Sequence, residues 1–452
     1  MKVLKVRHMA LVEDYPEDLP KRLTLTYTDT LGETVTIKAY KKEGNRLWIP
    51  RKYSHVSDFP VEKRKWKRVE IDFKGRLYSF QKELVKKFIK SGCNGILSVG
   101  TGKGKTVMAL YLAHLLKHKT LVVVPTETIF KQWIQRVYEF CGFYPTTIRG
   151  SHCDVSTPIV IGMLKTLAIG KKIDREKLYT EFGFVIYDEV HRIATYYYNI
   201  VAGMFWDKYR LGLSATPRRR DGMHKLFEWH IGSIVGKYYV YPSELIPSVY
   251  MIRYIDWRCS TGDFIRGGEL NLPLYHTHLA QIDNRNKLIV LYIYYGYKKG
   301  RRVMLLSDRL KQLLRIYKML KELGIDDIGF LTGNTKDIDH QIILGTYGSG
   351  GEGFDLPELD YLIFGTPRAD VRQSVGRLLR PKEKSPIIID IVDNVSEIMR
   401  KFAEARVRYY RGLKCKIKEI FINGEKVYAL YEKLLSKKKM GDFKEEKAQI
   451  PY

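Results

Sequence analysis

A short apolar run, Gly95–Val99 (GILSV), leads without a break into Gly100-Thr101-Gly102-Lys103-Gly104-Lys105-Thr106, and that into the helical pattern VMALYLAHLLKH. A strand that ends in a glycine-rich turn and opens a helix on Lys-Thr is the layout of a phosphate loop. Glycines at 102 and 104 let the backbone turn sharply, so that its N–H groups face an anion at a helix N-terminus. Lys105 reaches the β- and γ-phosphates as a point charge, and the Thr106 hydroxyl is placed for Mg²⁺. Val99 stands where the general pattern has its first glycine. The bland alternative is a glycine turn with a surface lysine, but the flanking strand and helix speak against it.

The same alternation continues. TLVVVPT, PIVIGM, FVIYDEV and RLGLSAT are short apolar runs separated by amphipathic segments such as ETIFKQWIQRVYEF. It returns in RRVMLLS, IGFLTG, QIILGTY, YLIFGT and SPIIIDIVD. Such runs predict buried parallel strands with crossover helices, in two blocks over about 76–235 and 281–425. Residues 236–280, rich in Tyr, Pro and Gly, read as a connector. Residues 1–60 read as β-rich: LTLTYTDT and ETVTIKAY alternate around a turn at Leu31-Gly32, and KEGN at 42–45 forms a second turn before RLWIP. The expected domains are 1–75 (accessory sheet and basic linker), 76–240, 241–430 and a basic tail, 431–452.

Charge narrows the function. The 452 residues carry 78 Lys and Arg against 50 Asp and Glu, a net +28. A polyanionic partner follows, nucleic acid before membrane. Residues 61–90 alone hold 11 basic and 4 acidic residues around Trp66; they read either as a solvated linker and helix face or as a strip that tracks phosphates. The longest apolar runs, such as Leu288–Tyr297, are too short to span a bilayer, and the N-terminus lacks a signal-peptide core. A cytoplasmic protein with no membrane partner is expected. Cys93, Cys141, Cys153, Cys259 and Cys415 are scattered, which argues against a disulfide framework, zinc or an iron–sulfur cluster and for buried, reduced thiols.

Further motifs add chemistry. FVIYDEVH (184–191) delivers two carboxylates at the end of an apolar strand, 83 residues after Lys105. Asp188 suits Mg²⁺ and Glu189 suits the attacking water, an acidic strand cap being the alternative. In QSVGRLLR (373–380), Arg377 and Arg380 are three apart and would share a helix face with Gln373 one turn earlier. Guanidinium groups neutralise charge on a transferring phosphoryl group; the alternative is a basic surface helix. GSGGEGFDLPELD (348–360) precedes it, a Gly-rich loop suited to close backbone approach. LGLSATP ends a strand on Ser214 and Thr216, either a capped turn or a γ-phosphate sensor. Tyr196, Tyr197 and Tyr198 read as a stacking element or as buried packing.

In order, Phe80-Gln81, GTGKGKT, VVVPT, DEVH, SAT, GEGFDLP and QSVGRLLR resemble the superfamily 2 helicases over about 76–400. SATPRRRDG (214–222) and DNRNKLI (283–289) are similar to stretches of the UvsW-like and XPB-like DNA helicases. The resemblance implies an α/β fold of two tandem RecA-like (P-loop NTPase) parallel-sheet domains, with a small β-rich N-terminal domain and ATP bound between the RecA-like pair. It implies a hydrolytic set of Lys105, Asp188, Glu189, His191, Gln373, Arg377 and Arg380. ATP would be held by Gln81, Thr101, Gly102, Lys103, Gly104, Lys105, Thr106, Gly353 and Asp355, and Mg²⁺ by Thr106 and Asp188. Gln81 matches the adenine-reading glutamine. Tyr78-Ser79-Phe80-Gln81 stands where the family often has Arg-Pro-Tyr-Gln, with Tyr78 able to stack. Pro125, Thr126, Gln132, Trp133, Thr166, Ser307 and Thr346 fall at positions of nucleic-acid contact, and Ser214, Ala215 and Thr216 at positions of coupling.

The function so implied is an ATP-dependent, monomeric DNA motor acting on forks, junctions or R-loops without sequence preference, in recombination and repair. An RNA helicase, or an annealing module with a clamp-like ATP site, are the alternatives.

Overall fold

The computed structural model describes residues 1–28, 34–190, 195–215, 217, 221–333, 335–351, 356, 358–379 and 384–439. They divide into two compact units, Met1–Tyr239 and Val240–Tyr452.

The first unit begins with six short strands: β1 (Lys2–Val6), β2 (Ala10–Glu13), β3 (Thr24–Thr28), β4 (Thr34–Lys38), β5 (Lys41–Glu43) and β6 (Arg46–Ile49). They form an antiparallel sheet in the order β1-β2-β6-β5 and a β3-β4 hairpin, as the alternation predicts. The Leu31-Gly32 turn lies outside the described residues. Val6, Val12, Leu47 and Ile49 make a small core. Ile37 and Ala39 instead pack with Ile96, Leu121 and Val185 of the following α/β body. The N-terminal strands therefore share a core with that body, because the hairpin alone buries too little apolar surface to stand free.

The body is an eight-stranded sheet: β7 (Asn94–Val99), β8 (Thr120–Val124), β9 (Thr146–Arg149), β10 (His152–Cys153), β11 (Ile159–Met163), β12 (Phe184–Tyr187), β13 (Tyr209–Ser214) and β14 (Ile234–Tyr238). The order is β10-β9-β11-β8-β12-β13-β7-β14, parallel except at β10. Central strands such as β8 and β12 are buried throughout, which is why their sequences lack polar alternation.

The second unit holds β15 (Ser248–Ile255), a small hairpin of β16 (Ile265–Arg266) and β17 (Glu269–Leu270), then β18 (Val303–Ser307), β19 (Ile328–Leu331), β20 (Ile342–Thr346), β21 (Tyr361–Phe364), β22 (Ile387–Asp393) and β23 (Lys416–Asn423). Seven of these form a parallel sheet, β19-β20-β18-β21-β22-β15-β23. Two expectations are corrected here. The stretch read as a connector supplies edge strand β14 to the first sheet and β15 to the second. Strand β15 runs between β22 and β23 over its whole length. Its Tyr and Arg residues masked the strand pattern, because the half-buried Tyr250 and Arg253 fall on opposite faces and break the alternation. The thiols are free, but Cys153 is exposed on the two-residue edge strand and Cys415 is only half-buried.

Leu288–Tyr297 lies within the buried helix Asp283–Lys298. No helix among the described residues is long and apolar enough to cross a membrane. Trp66 neither tracks solvent nor stands free: its indole donates to the Trp206 carbonyl at 2.8 Å, so this part of the basic segment is strapped to the body. Of the three tyrosines, Tyr198 is buried against Tyr187 and Phe227, while Tyr196 is exposed.

Candidate active site

Strand β7 delivers the phosphate loop at its C-terminal end, as parallel sheets do. Gly102 and Gly104 have φ of 74° and 76°, the left-handed region where a side chain is strained. Gly104 is also crowded, since a Cβ there would collide with the Gln81 carboxamide. The helix Lys105–Leu116 starts at once, with Gly104 as an N-cap that brings no side chain of its own. Its first-turn amides and dipole therefore face the loop, where a triphosphate fits. Lys103 is half-buried, and burial pulls its pKa below the ordinary lysine value.

Gln81 sits in the first turn of the helix Ser79–Lys90 and is buried. Its Oε1 accepts the Tyr78 amide at 2.9 Å and its Nε2 donates to the Lys103 carbonyl at 3.0 Å. The residue braces the loop. Tyr78 is exposed beside it, at one end of a Tyr78–Phe80–Tyr238 aromatic stack.

Strand β12 lies between β8 and β13 and ends at Tyr187, so Asp188 and Glu189 emerge at the same sheet edge as the loop. The Lys105 Nζ is 3.5 Å from Glu189 Oε1. Glu189 has φ of 47°, an uncommon backbone for a residue with a side chain, which turns the second carboxylate away from the strand direction. Asp188 is buried, and both its oxygens hold donors. Oδ1 accepts the Glu189 amide at 2.8 Å and Oδ2 accepts Trp133 Nε1 at 2.7 Å. Burial first, then the Glu189 charge, push the Asp188 carboxyl up to about 6, while Lys105, Trp133 and the Glu189 amide pull it down. Two carboxylates this close, one desolvated, suit a divalent cation that offsets their repulsion. Asp188 and the half-buried Thr106 are the oxygen donors that would hold Mg²⁺, so the residues present fit the ion.

Two residues here escaped sequence reasoning. Trp133 was expected at the nucleic acid. It is instead 1% exposed and bonded to Asp188, because the helix Glu127–Cys141 turns its apolar face, Ile129, Phe130, Trp133 and Val137, inward. The periodicity of that helix was the available signal. Tyr239 is the other. Its hydroxyl bonds Ser98 on β7 and donates to the Ala215 carbonyl at 2.9 Å, tying the end of β13 to the end of the first unit. Ser214 is buried beside Ser98 in the β13–β7 register.

The remaining expected contacts divide. Pro125 and Thr126 are half-buried at the start of the Glu127–Cys141 helix, and Gln132 is exposed on it. Thr166 Oγ1 accepts the Gly150 amide at 3.1 Å. Thr346 accepts the Ser349 amide at 3.3 Å. Ser307 is corrected: it is fully buried, its hydroxyl donating to Gln312 Oε1 at 2.7 Å and accepting the Arg309 amide at 3.0 Å, so it closes a turn and offers nothing to a strand. On the second unit Arg377 is 6% exposed and Gln373 half-buried, on the helix Arg372–Leu378. A basic surface helix is thereby ruled out for Arg377. His191, Thr216, Gly353, Asp355 and Arg380 lie outside the described residues.

Comparison with known proteins identifies the family. Residues 74–219 match the family described as type III restriction enzyme, res subunit. A protein of Acanthamoeba polyphaga mimivirus named as ATP-dependent RNA helicase L396 is 30% identical over 418 residues, 85% of this chain and 78% of its own. The DNA 3'-5' translocase XPB2 of Sulfurisphaera tokodaii is 29% identical, over 82% of this chain and 94% of its own. Dbp5 of S. cerevisiae, solved with RNA and ADP BeF3, shares the fold at a TM-score of 0.54 and 14% identity, over 80% of this chain and 94% of that one. The chain belongs to the superfamily 2 helicases, ATP-hydrolysing enzymes with two tandem RecA-like domains.

Proposed function

We propose that the protein is a nucleic-acid-stimulated ATPase that moves along DNA and unwinds or branch-migrates forks, junctions and R-loops as a monomer. The observation that carries the hydrolytic part is the approach of Lys105 and the Asp188–Glu189 pair at one sheet edge beside the phosphate loop. The net charge of +28 supports a polyanionic track, and the XPB2 likeness supports DNA.

The first-turn amides and Lys105 bind and orient the phosphates. Glu189, 3.5 Å from Lys105, takes the proton of the attacking water. Mg²⁺, when bound by Asp188 and Thr106, supplies charge neutralisation at the phosphates. Gln81 holds the loop against the nucleotide pocket. Arg377 is assigned as the guanidinium that steadies charge on the transferring phosphoryl group, with Gln373 beside it. Pro125, Thr126 and Gln132 are assigned to the backbone of one strand, with Thr166 and Thr346 as further contacts. Tyr239 and Ser214 are assigned to coupling, since both join β13 to the loop-bearing strand.

The likeness to L396, named as an RNA helicase, favours RNA as the second reading. Unwinding of a fork, a four-way junction and a plain duplex, each as DNA and as RNA, separates the two. ATP-driven opening of the DNA fork and junction is expected, with Lys105→Ala retaining strand binding and losing turnover. Activity confined to RNA duplexes overturns the DNA reading, and wild-type hydrolysis by Lys105→Ala overturns the site.

A further inference from the structure

We infer that Trp133 is a positioning residue through which a bound strand activates hydrolysis. The inference rests on the strand-contact assignment of Pro125, Thr126 and Gln132 above.

The carboxylate of Asp188 is held by two donors. One is local, the amide of the next residue. The other, Trp133 Nε1, is the hydrogen bond that, among the described residues, reaches the carboxylate from a different element. That element, Glu127–Cys141, starts at the segment assigned to the strand. Trp133 is seven residues beyond Thr126, two helical turns or about 10 Å along the axis. It therefore lies on the same side of the helix as the Thr126 end.

The two ends of this lever differ in their commitments. Trp133 is almost completely buried among Ile129, Phe130 and Val137, and its only polar atom is spent on Asp188. At the other end, Thr126 has the extended backbone of an N-cap, φ −133° and ψ 155°, but its hydroxyl makes no cap bond. Thr126 Oγ1 is a buried atom without a hydrogen-bond partner among the described residues, whereas the neighbouring Glu127 carboxylate is paired with Arg149 and Lys131. The Thr126 hydroxyl, at the helix start, can donate to a phosphate or sugar oxygen that arrives with the strand. A helix is stiff along its axis, so a small shift that satisfies Thr126 is passed to Trp133, and from there to the orientation of Asp188. An indole has a single donor and no acceptor, so it cannot compensate by exchanging roles.

The test is Trp133→Phe in the full chain, which keeps an aromatic ring and removes the N–H. A benzothiophene analogue placed at Trp133, with sulfur in place of N–H, serves if Phe leaves the core too loose to fold. ATP turnover is measured with and without a single-stranded DNA oligonucleotide, and strand affinity by fluorescence anisotropy. Strand-stimulated kcat is expected to fall about tenfold, the scale of one hydrogen bond to a charged group. Unstimulated turnover is expected to fall less than stimulated turnover, so that the ratio of the two drops, while strand affinity stays within about twofold of wild type. Val137→Ala, a packing control on the same buried face, should lower thermal stability and leave the ratio of stimulated to unstimulated turnover intact.

An equal fall of both rates in Trp133→Phe overturns the inference in favour of a purely structural role. Full stimulation in that variant overturns it as well. A wild-type enzyme that no strand stimulates refutes the strand-contact assignment itself, and is recognised before any variant is made.

Discussion

Asp207→Asn is the substitution that most directly tests how the N-terminal strands are held. Asp207 is fully buried between two arginines. Its carboxylate accepts Arg51 at 3.1 Å and Arg210 at 2.8 and 2.9 Å, while its carbonyl accepts Arg51 at 2.8 Å. Arg51 follows β6, so this cluster fastens the small sheet to the α/β body. Burial, then the Arg210 charge, bring Arg51 down to about 10, whereas at Arg210 burial, the largest single influence, is outweighed by Asp207 together with Tyr187 and Tyr198, which hold it above its ordinary range. Asparagine keeps the shape and removes the anion, leaving two guanidinium groups buried without a counter-charge. Breaking such a cluster costs about 3–5 kcal/mol. For a unit of this size each kcal/mol shifts Tm by roughly 2–4 °C, so a fall of about 6–20 °C is expected. Arg51→Met is the control. It removes the hydrogen bonds that Arg51 makes to Asp207 and Asn94 but leaves the Arg210–Asp207 pair and its charge balance intact, so it should cost less, about 1–3 kcal/mol. Differential scanning calorimetry of the full chain reads both variants, with tryptic cleavage near Arg51 as a second probe of detachment. A Tm for Asp207→Asn within about 2 °C of wild type, or equal damage from Arg51→Met, would refute the reasoning.

Two further outcomes follow from the same coordinates. Gln81→Ala removes the brace on the Lys103 carbonyl of the phosphate loop together with the bond to the Tyr78 amide; KM for ATP should rise up to about tenfold while kcat changes by less than about threefold, and steady-state kinetics with an unaltered KM would contradict the bracing role. His8 bonds Tyr179, stacks on Trp48 and is brought down to about 4 by burial, then by the charges of Arg210 and Arg7. An unfolded chain takes up this proton near pH 6.5 and the folded one only near 4, so stability falls as pH drops through that window. His230, lowered in the same direction by burial, adds to the slope. The His8 share, discounted for its partial exposure, is ~1–3 kcal/mol at pH 4. His8→Gln should flatten the Tm profile between pH 7 and 4.5, and an unchanged slope would show that His8 is not its source.

The phosphate loop, the acidic strand end and the parallel strands were legible because each depends on neighbours in the chain. Gly102 and Gly104 must be glycine for a local backbone reason, and β8 and β12 are apolar because both faces are covered. Strand β15 was not legible: its place between β22 and β23 comes from chain segments more than a hundred residues away. Ser307 and Trp133 were misplaced for a related reason. A polar or aromatic residue at a motif position can face a ligand or the interior, and only packing tells which.

Sequence alone determined that this chain binds a triphosphate on an α/β scaffold, since the turn, the lysine and the paired carboxylates are chemistry written in consecutive residues. Tertiary structure alone decided that Trp133 grips Asp188 across 55 positions, that Gln81 braces the loop, and that Arg51 and Asp207 merge the N-terminal strands with the first motor domain. The physical reason is that desolvated hydrogen bonds and ion pairs are chosen by what lies adjacent in space, and spatial adjacency is settled only when the core closes.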